Sequence, residues 1–393
     1  MGQKLPIKRI ELKSGQVRYR FTIDVGRKPD GKRDQDTFTF DTLTEAKSEY
    51  ARIKHQTDRG TFVRTTKVTV DEFLDEWLAS ATRDVEEATA ANYADALRPV
   101  RERLGRRELQ TLKEPDIEGL VDWMLTAGRY RGGKPGTGLG IRSVRLTLGR
   151  LRAALNVALR RQLVVRNVAL DVTIPRAAVK AAAESKTERP PWTTREVKTF
   201  LAGIKGDRLY AVTLLSLMGL RPAEVCGLRW SDIDFDAGTI AAGDNTRTLV
   251  EGKMVEKPAK SKAGQRGLPA PTVALAALKA FKAKQAAERL AAGTAYTASG
   301  YVLVDELGAP QRTDWFRRRV YDLMKRTELR RVRLYDARHS ALTYLGAECG
   351  VPDVVLAAWA GHADGGTLAK RVYIHPDNSH LQVAADHLDR IFG

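Results

Sequence analysis

The side chains of this 393-residue chain that could do chemistry gather in its second half. Arg221 stands in Leu217-Met218-Gly219-Leu220-Arg221-Pro222-Ala223-Glu224, which reads as a helix end, a glycine break and a new helix begun at Pro222. Arg221 then sits at a helix N-terminus, where free backbone N–H groups favour an anion. Taken alone, it would be expected to form a surface ion pair with Glu224. Lys260-Ser261-Lys262-Ala263-Gly264 lies between two strand-like runs and reads as a hairpin tip with two ammonium groups. Most lysines at such tips only solvate the turn. Tyr335-Asp336-Ala337-Arg338-His339 opens a predicted helix, and Trp359-Ala360-Gly361-His362 precedes Thr367-Leu368-Ala369-Lys370-Arg371-Val372-Tyr373. Five of the six histidines follow position 338, so metal binding must be weighed. His362, His375, His380 and His387 form no helical i,i+4 pair with a carboxylate base, and no cysteine joins them, so no metal site is expected. No Gly-rich phosphate loop is present, and Asp232, Asp234 and Asp236 follow an apparent helix end, where they read as turn and cap residues rather than magnesium ligands. No cofactor is expected.

The charge of the whole chain agrees with anion chemistry. Lys and Arg number 66 against 48 acids, a formal charge of +18. Such a field favours polyanions, because each neutralised phosphate releases a condensed counterion. Acidic lipid is a poorer match, since no compact Lys/Arg tract adjoins an apolar helix. Two cysteines, Cys226 and Cys349, exclude a disulfide framework and suit a reducing compartment. With no secretory-type start and no long apolar run, the expectation is a soluble cytoplasmic protein with no membrane partner. At 43% hydrophobic and 29% charged residues, the chain can bury a sizeable core, and its length suits two or three domains of ~150 residues.

The elements that must position these groups are legible in outline. Val17, Tyr19, Phe21, Ile23 and Val25 alternate with Arg18, Arg20 and Thr22, which predicts a half-buried strand. Thr37–Phe40 predicts a second strand after the Pro29-Asp30-Gly31-Lys32 turn, and Thr42 with Glu45 opens a helix to about Asp58. Thr69 with Glu72 caps another helix. Further helices are expected at Thr89–Leu104, Glu114–Leu125 and Arg142–Leu163. The last carries the stripe Val144, Leu148, Leu151, Leu155 and Leu159, with Arg142, Arg145, Arg152, Arg160 and Arg161 mostly off it. Residues 176–192 lack apolar periodicity and end in Pro-Pro, so they read as a linker, after which Thr193 with Glu196 starts a new helix. Thr239, Thr246–Val250, Lys253–Lys257 and Gly267–Pro269 mark strands.

Five boxes in this order resemble the tyrosine recombinases and phage-type integrases. Gly219-Leu220-Arg221-Pro222-Ala223-Glu224 matches the family's first box, and Lys260 fits its hairpin lysine, with Lys262 as the alternative. Arg338 fits the second arginine and Gly361-His362 the next box, while Tyr373 falls eleven residues after His362. Two positions depart: Tyr335 stands where the family most often has histidine, and Ala360 replaces a leucine. The resemblance implies a multidomain, mainly α protein with small β-sheets. Residues 1–64 would be a small sheet-plus-helix arm-type DNA-binding domain and 65–175 a helical core-binding domain. Residues 193–393 would be the α+β catalytic domain.

It further implies site-specific cleavage and rejoining of DNA through a 3′-phosphotyrosyl link, integrating or excising a mobile element. Tyr373 would be the nucleophile. Arg221 and Arg338 would clamp non-bridging phosphate oxygens, which guanidinium forks match and to which they stay charged. Lys260 could protonate the departing 5′-oxygen. His362 could either donate to the phosphate or accept the Tyr373 proton. Tyr335 could donate a hydrogen bond, but a phenol titrates near ~10 and cannot shuttle protons at neutral pH as histidine can. The implied partners are double-stranded DNA with core-type and arm-type sites, a homotetramer on that DNA, a host DNA-bending protein and an excision factor. Ser379 with Gln382 would cap a last helix that packs on its own domain or docks on a neighbour. A type IB topoisomerase-like nicking-resealing enzyme and a non-catalytic DNA-binding protein on the same fold are the competing readings.

Overall fold

The computed structural model describes residues 5–27, 30–185, 190–250, 252–259 and 261–367. The chain divides into two compact units, residues 1–186 and 187–393.

The first unit opens with an antiparallel sheet in the order β1-β2-β3: Lys8–Glu11, Val17–Arg27 and Arg33–Phe40. Strand β1 was not anticipated, because Lys8-Arg9-Ile10-Glu11 has no apolar alternation and is held by pairing to β2. Helix α1 (Leu43–Asp58) starts where the Thr42 hydroxyl accepts from the Glu45 amide at 3.2 Å. One sheet face buries Phe21 and Ile23 with Ile53 of α1. On the other, Arg20 donates to Thr39 and Thr22 bonds Thr37.

Four helices then share a separate core: α2 (Val70–Ala81), α3 (Glu87–Leu104), α4 (Glu114–Thr126) and α5 (Ile141–Arg160). The expected capping box at α2 forms, with the Glu72 amide donating to Thr69 and the Thr69 amide to the Glu72 carboxylate at 2.8 Å. Along α5 the buried stripe is Val144, Leu148, Leu151, Leu155 and Ala158, while Leu159, placed on it by sequence, is exposed. Arg152 turns inward and donates to the Ala169 and Val172 carbonyls at 2.9 and 2.5 Å. The expected linker needs a correction: residues Arg176–Glu184 form helix α6. None of its residues is buried, and Ala-rich helix propensity suffices where no apolar stripe is available to betray it.

In the second unit, helices α7 (Thr194–Ile204), α8 (Tyr210–Leu217) and α9 (Pro222–Gly227) lead into β4 (Ile233–Asp234), β5 (Thr239–Ala242), β6 (Thr246–Val250), β7 (Lys253–Lys257) and β8 (Arg266–Pro269). Helices α10 (Thr272–Ala292), α11 (Thr313–Arg326), α12 (Leu334–Thr343) and α13 (Asp353–Ala360) follow. The core joins Phe200, Val212, Leu215, Val225, Ile240, Leu268, Phe281, Phe316 and Val320, so the helices pack around the β4-β5-β8 sheet. The expected hairpin tip also needs a correction. Strand β7 pairs with β6, whereas β8 pairs with β5, so the segment after Lys257 crosses between two sheets. Two of the three aspartates, Asp232 and Asp234, act as turn and cap residues. Asp232 accepts from the Arg229 amide, and Asp234 accepts from the Asp236 and Ala237 amides at 2.9 and 2.8 Å.

The entry to this unit is stapled down. Arg330 donates to the Pro190 and Pro191 carbonyls, both at 2.7 Å, and to both carboxylate oxygens of Glu196. The Trp192 amide donates to Ser340 and its indole to the Arg330 carbonyl. Among the described residues no helix is long and apolar enough to cross a membrane.

Candidate active site

Between α8 and α9 the chain reverses at Gly219, whose φ of 103° only glycine adopts without strain. Pro222 fixes the start of α9, with Arg221 as its N-cap. The carboxylate of Glu224 returns to the Arg221 amide at 2.8 Å and takes a side-chain bond from Arg221 at 2.6 Å. The pairing matches expectation, but its setting does not: Glu224 is only 1% exposed. The anion at this helix N-terminus is therefore the chain's own carboxylate. Burial alone would raise the Glu224 pKa, but bonds from Arg266 and the charge of Arg221 outweigh it and hold the group below the usual carboxylate range.

The second focus is the C-terminal end of α13. Gly361 takes the left-handed conformation (φ 65°), its amide bonds the Ala358 carbonyl, and the His362 amide bonds the Ala357 carbonyl at 2.9 Å. This is the reciprocal pattern by which helices end on glycine. It leaves the carbonyls of residues 359, 360 and 361, and an arginine meets each one. Arg266 donates to Trp359 at 2.6 Å, Arg338 donates to Ala360, and Arg221 donates to Gly361 at 3.2 Å. Three positive groups thus face the negative pole of one short helix.

Arg338 lies on α12 and is fully enclosed, at 0% exposure. Besides Ala360 it holds the Gly219 carbonyl at 2.5 Å, so one guanidinium ties the turn before Arg221 to the turn before His362. Its Nε has no hydrogen-bond partner among the described residues. Burial and the neighbouring Arg221 lower its pKa, yet a guanidinium stays charged at neutral pH.

His362 is neutral at pH 7. Burial, Arg338 and Arg221, in that order, push its pKa down to about 4. Its Nε2 lies 3.2 Å from Arg338 Nη2. Guanidinium can only donate, so partner chemistry assigns Nε2 as the acceptor and places the ring proton on Nδ1.

The turn at Lys262–Gly264 closes the site from a third side. A Cβ at Gly361 would lie 2.7 Å from the Ala263 carbonyl and 3.2 Å from Gly264, so the turn sits directly on the residue before His362. Lys262 itself is exposed. Tyr335, in the first turn of α12, is 41% exposed and meets the His339 ring edge-on at 5.1 Å. Lys260 and Tyr373 lie outside the described residues.

The structure thus brings together Arg221, Arg338, His362 and the Lys262 turn, with Tyr335 on the helix that carries Arg338. Sequence reasoning passed over Arg266, an ordinary basic residue entering a strand whose pairing partner is distant. It also missed Trp359, whose indole donates to the Met218 carbonyl at 2.7 Å and backs Gly219.

Residues 193–380 match the phage integrase family model. A tyrosine recombinase XerC-like protein of Caldanaerobacter subterraneus subsp. tengcongensis is 25% identical, over 97% of this chain and 98% of its own length. The Tn1549 transposon integrase, solved in complex with transposon right end DNA, shares the fold with a TM-score of 0.65 at 20% identity, covering 82% of this chain and 100% of that one. A lambda integrase solved as a tetramer bound to a Holliday junction gives a TM-score of 0.54 at 16% identity, covering 96% of this chain and 99% of its own. Two arginines and a neutral histidine are thus gathered at one helix end inside the stretch that the phage integrase family model matches, and the chain is similar to a tyrosine recombinase over nearly its whole length.

Proposed function

We propose that this chain is a site-specific DNA recombinase that integrates or excises a mobile element by cleaving and rejoining strands through a 3′-phosphotyrosyl intermediate, with Tyr373 as nucleophile. The observation that carries the reading is the convergence of Arg221, Arg338 and His362 on the end of α13, just ahead of the segment that bears Tyr373. Arg221, whose side chain is 30% exposed, is the guanidinium best placed to meet a non-bridging oxygen. Arg338 supplies field from behind, and its Nε–H has no partner among the described residues. His362 donates from Nδ1 to the phosphate. Lys260 or Lys262 protonates the departing 5′-oxygen, and Tyr335 adds a hydroxyl donor where an imidazole would be more usual. The covalent link keeps the energy of the broken bond, so rejoining needs no nucleotide.

DNA is held by the first unit as well. Residues 1–64 would form an arm-type module, supported by the open face of its sheet, where register sets Lys8 beside Arg20 and Ile10 beside Arg18. Residues 65–175 would grip the core site. There a cleft of about 520 Å³ brings together Arg98 over Tyr130 at 4.0 Å and Arg150 over Tyr93 at 4.1 Å. Residues 176–192 would join these modules to a catalytic domain at 193–393. A homotetramer on DNA, a host DNA-bending protein and an excision factor complete the proposed assembly, acting at the DNA in the cytoplasm. The last helix expected from Ser379 lies outside the described residues, and its docking on a neighbour belongs to the same proposal.

The test is trapping on nicked suicide duplexes tiled across the DNA that flanks the chain's own gene. The expected result is a covalent adduct with the wild-type chain and none with Tyr373→Phe. An adduct that persists in Tyr373→Phe, or is absent from the wild type while DNA is still bound, would overturn the reading.

A further inference from the structure

We propose that Arg266 is a positioning residue of the strand-cleavage reaction, balancing the Glu224 carboxylate so that the group around Arg221 keeps a net positive charge, and holding the His362 turn in place through one bridging guanidinium. The inference rests on the function proposed above. Arg266 sits on β8, 8% exposed, and makes contacts of three kinds. It bonds both carboxylate oxygens of Glu224 at 3.2 and 3.3 Å, the Trp359 carbonyl at 2.6 Å and the Gly264 carbonyl at 3.0 Å. Those acceptors belong to the three pieces that build the site: α9 with Arg221, α13 with His362 behind it, and the Lys262 turn.

Charge counting shows what the bridge does. Glu224 is buried and ionised, and it bonds Arg221 at 2.6 Å. With Arg221 alone, the pair would sum to zero and offer a phosphate little attraction. With Arg266 also on the carboxylate, the triad sums to +1, so an anion approaching Arg221 meets a group of net positive charge. A buried carboxylate that lost Arg266 would draw the fork of Arg221 onto itself, because uncompensated buried charge is costly. Arg266 touches no reacting atom in this scheme. Its effect passes through Arg221 and His362.

The experiment uses the full chain and the tiled nicked duplexes, reading single-turnover adduct rate and half-saturating DNA concentration separately, with thermal melting alongside. Arg266→Gln is expected to lower the rate by about 10–100-fold, the size of a small misplacement of a reacting group, with half-saturation little changed. Arg266→Lys keeps the charge but not the fork, and is expected to recover part of that loss. Adding Glu224→Gln to Arg266→Gln removes the uncompensated carboxylate, and the double variant is expected to cleave faster than Arg266→Gln alone. A purely structural role predicts the opposite order, since the double variant removes more contacts. Rates for Arg266→Gln within about twofold of wild type, or a double variant slower than the single, would overturn the proposal. If Arg266→Gln fails to fold, the folded Arg266→Lys variant decides: a rate equal to wild type refutes the role of the fork. Absence of any wild-type adduct instead sinks the recombinase reading itself, so the two failures are distinct.

Discussion

His362 titrates too low to be a cation at neutral pH, and the reason is its company. Burial, Arg338 and Arg221 hold its pKa at about 4, below the ordinary 6.5. A histidine depressed in this way stabilises the fold fully above pH 6.5, and that contribution is lost as pH falls toward 4, because the unfolded chain takes up the proton first. Denaturant midpoints measured at pH 7 and pH 5 should therefore differ more in the wild type than in His362→Gln. The residual difference should not vanish, since burial also lowers the pKa of His339. An equal or larger acid shift in His362→Gln would contradict the assignment. The same neutrality makes His362 a hydrogen-bond donor through Nδ1 rather than a third positive charge.

Helix α13 and the crossing segment between β7 and β8 depend on each other through one hydrogen-sized space. Gly361 is required twice, by its φ of 65° and by the Ala263 carbonyl that would lie 2.7 Å from any Cβ. Gly361→Ala should destabilise the second unit by about 1–3 kcal/mol, the range for a strained backbone position, and slow cleavage further by moving His362. A melting temperature unchanged from wild type would show that the turn yields freely. How much of this was legible in the sequence follows from the range of the interactions. The starts of α1, α2 and α7 were readable because a threonine and a glutamate three residues on make a local device, and each threonine accepts as expected. The two arginines, His362 and the helix that carries Arg338 were readable as motifs. Strand β8 was not paired correctly, because its partner β5 lies beyond a whole intervening hairpin. Helix α6 escaped because it buries nothing, and its local support is of the kind that Lys180 and Glu184 supply at 3.8 Å. Arg266 escaped because all that marks it is the company of Glu224 and Trp359, distant in the chain.

The charge of the whole molecule, +18, should appear as a steep dependence of DNA affinity on salt. Each phosphate contact contributes about −0.9 to the slope of log K against log salt. On α5, Arg142 and Arg145 are exposed, whereas the fork of Arg152 is occupied by the Ala169 and Val172 carbonyls. Replacing Arg142 or Arg145 by Ala should therefore flatten the slope by about 1 each and weaken all sequences alike. Arg152→Ala should leave the slope alone and lower the melting temperature instead. Titrations by fluorescence anisotropy at several salt concentrations would reveal any reversal of that division.

The staple at Pro190–Trp192 bears on how such a molecule could be re-engineered. Arg330, itself held by Glu196, and Ser340 grip the incoming chain by its backbone, so the doorway to the second unit is indifferent to what precedes it. A chimera spliced ahead of Pro190 would inherit that doorway whole, whatever foreign reader it carried. One spliced after Trp192 would leave Arg330 reaching for carbonyls that another backbone has no reason to present.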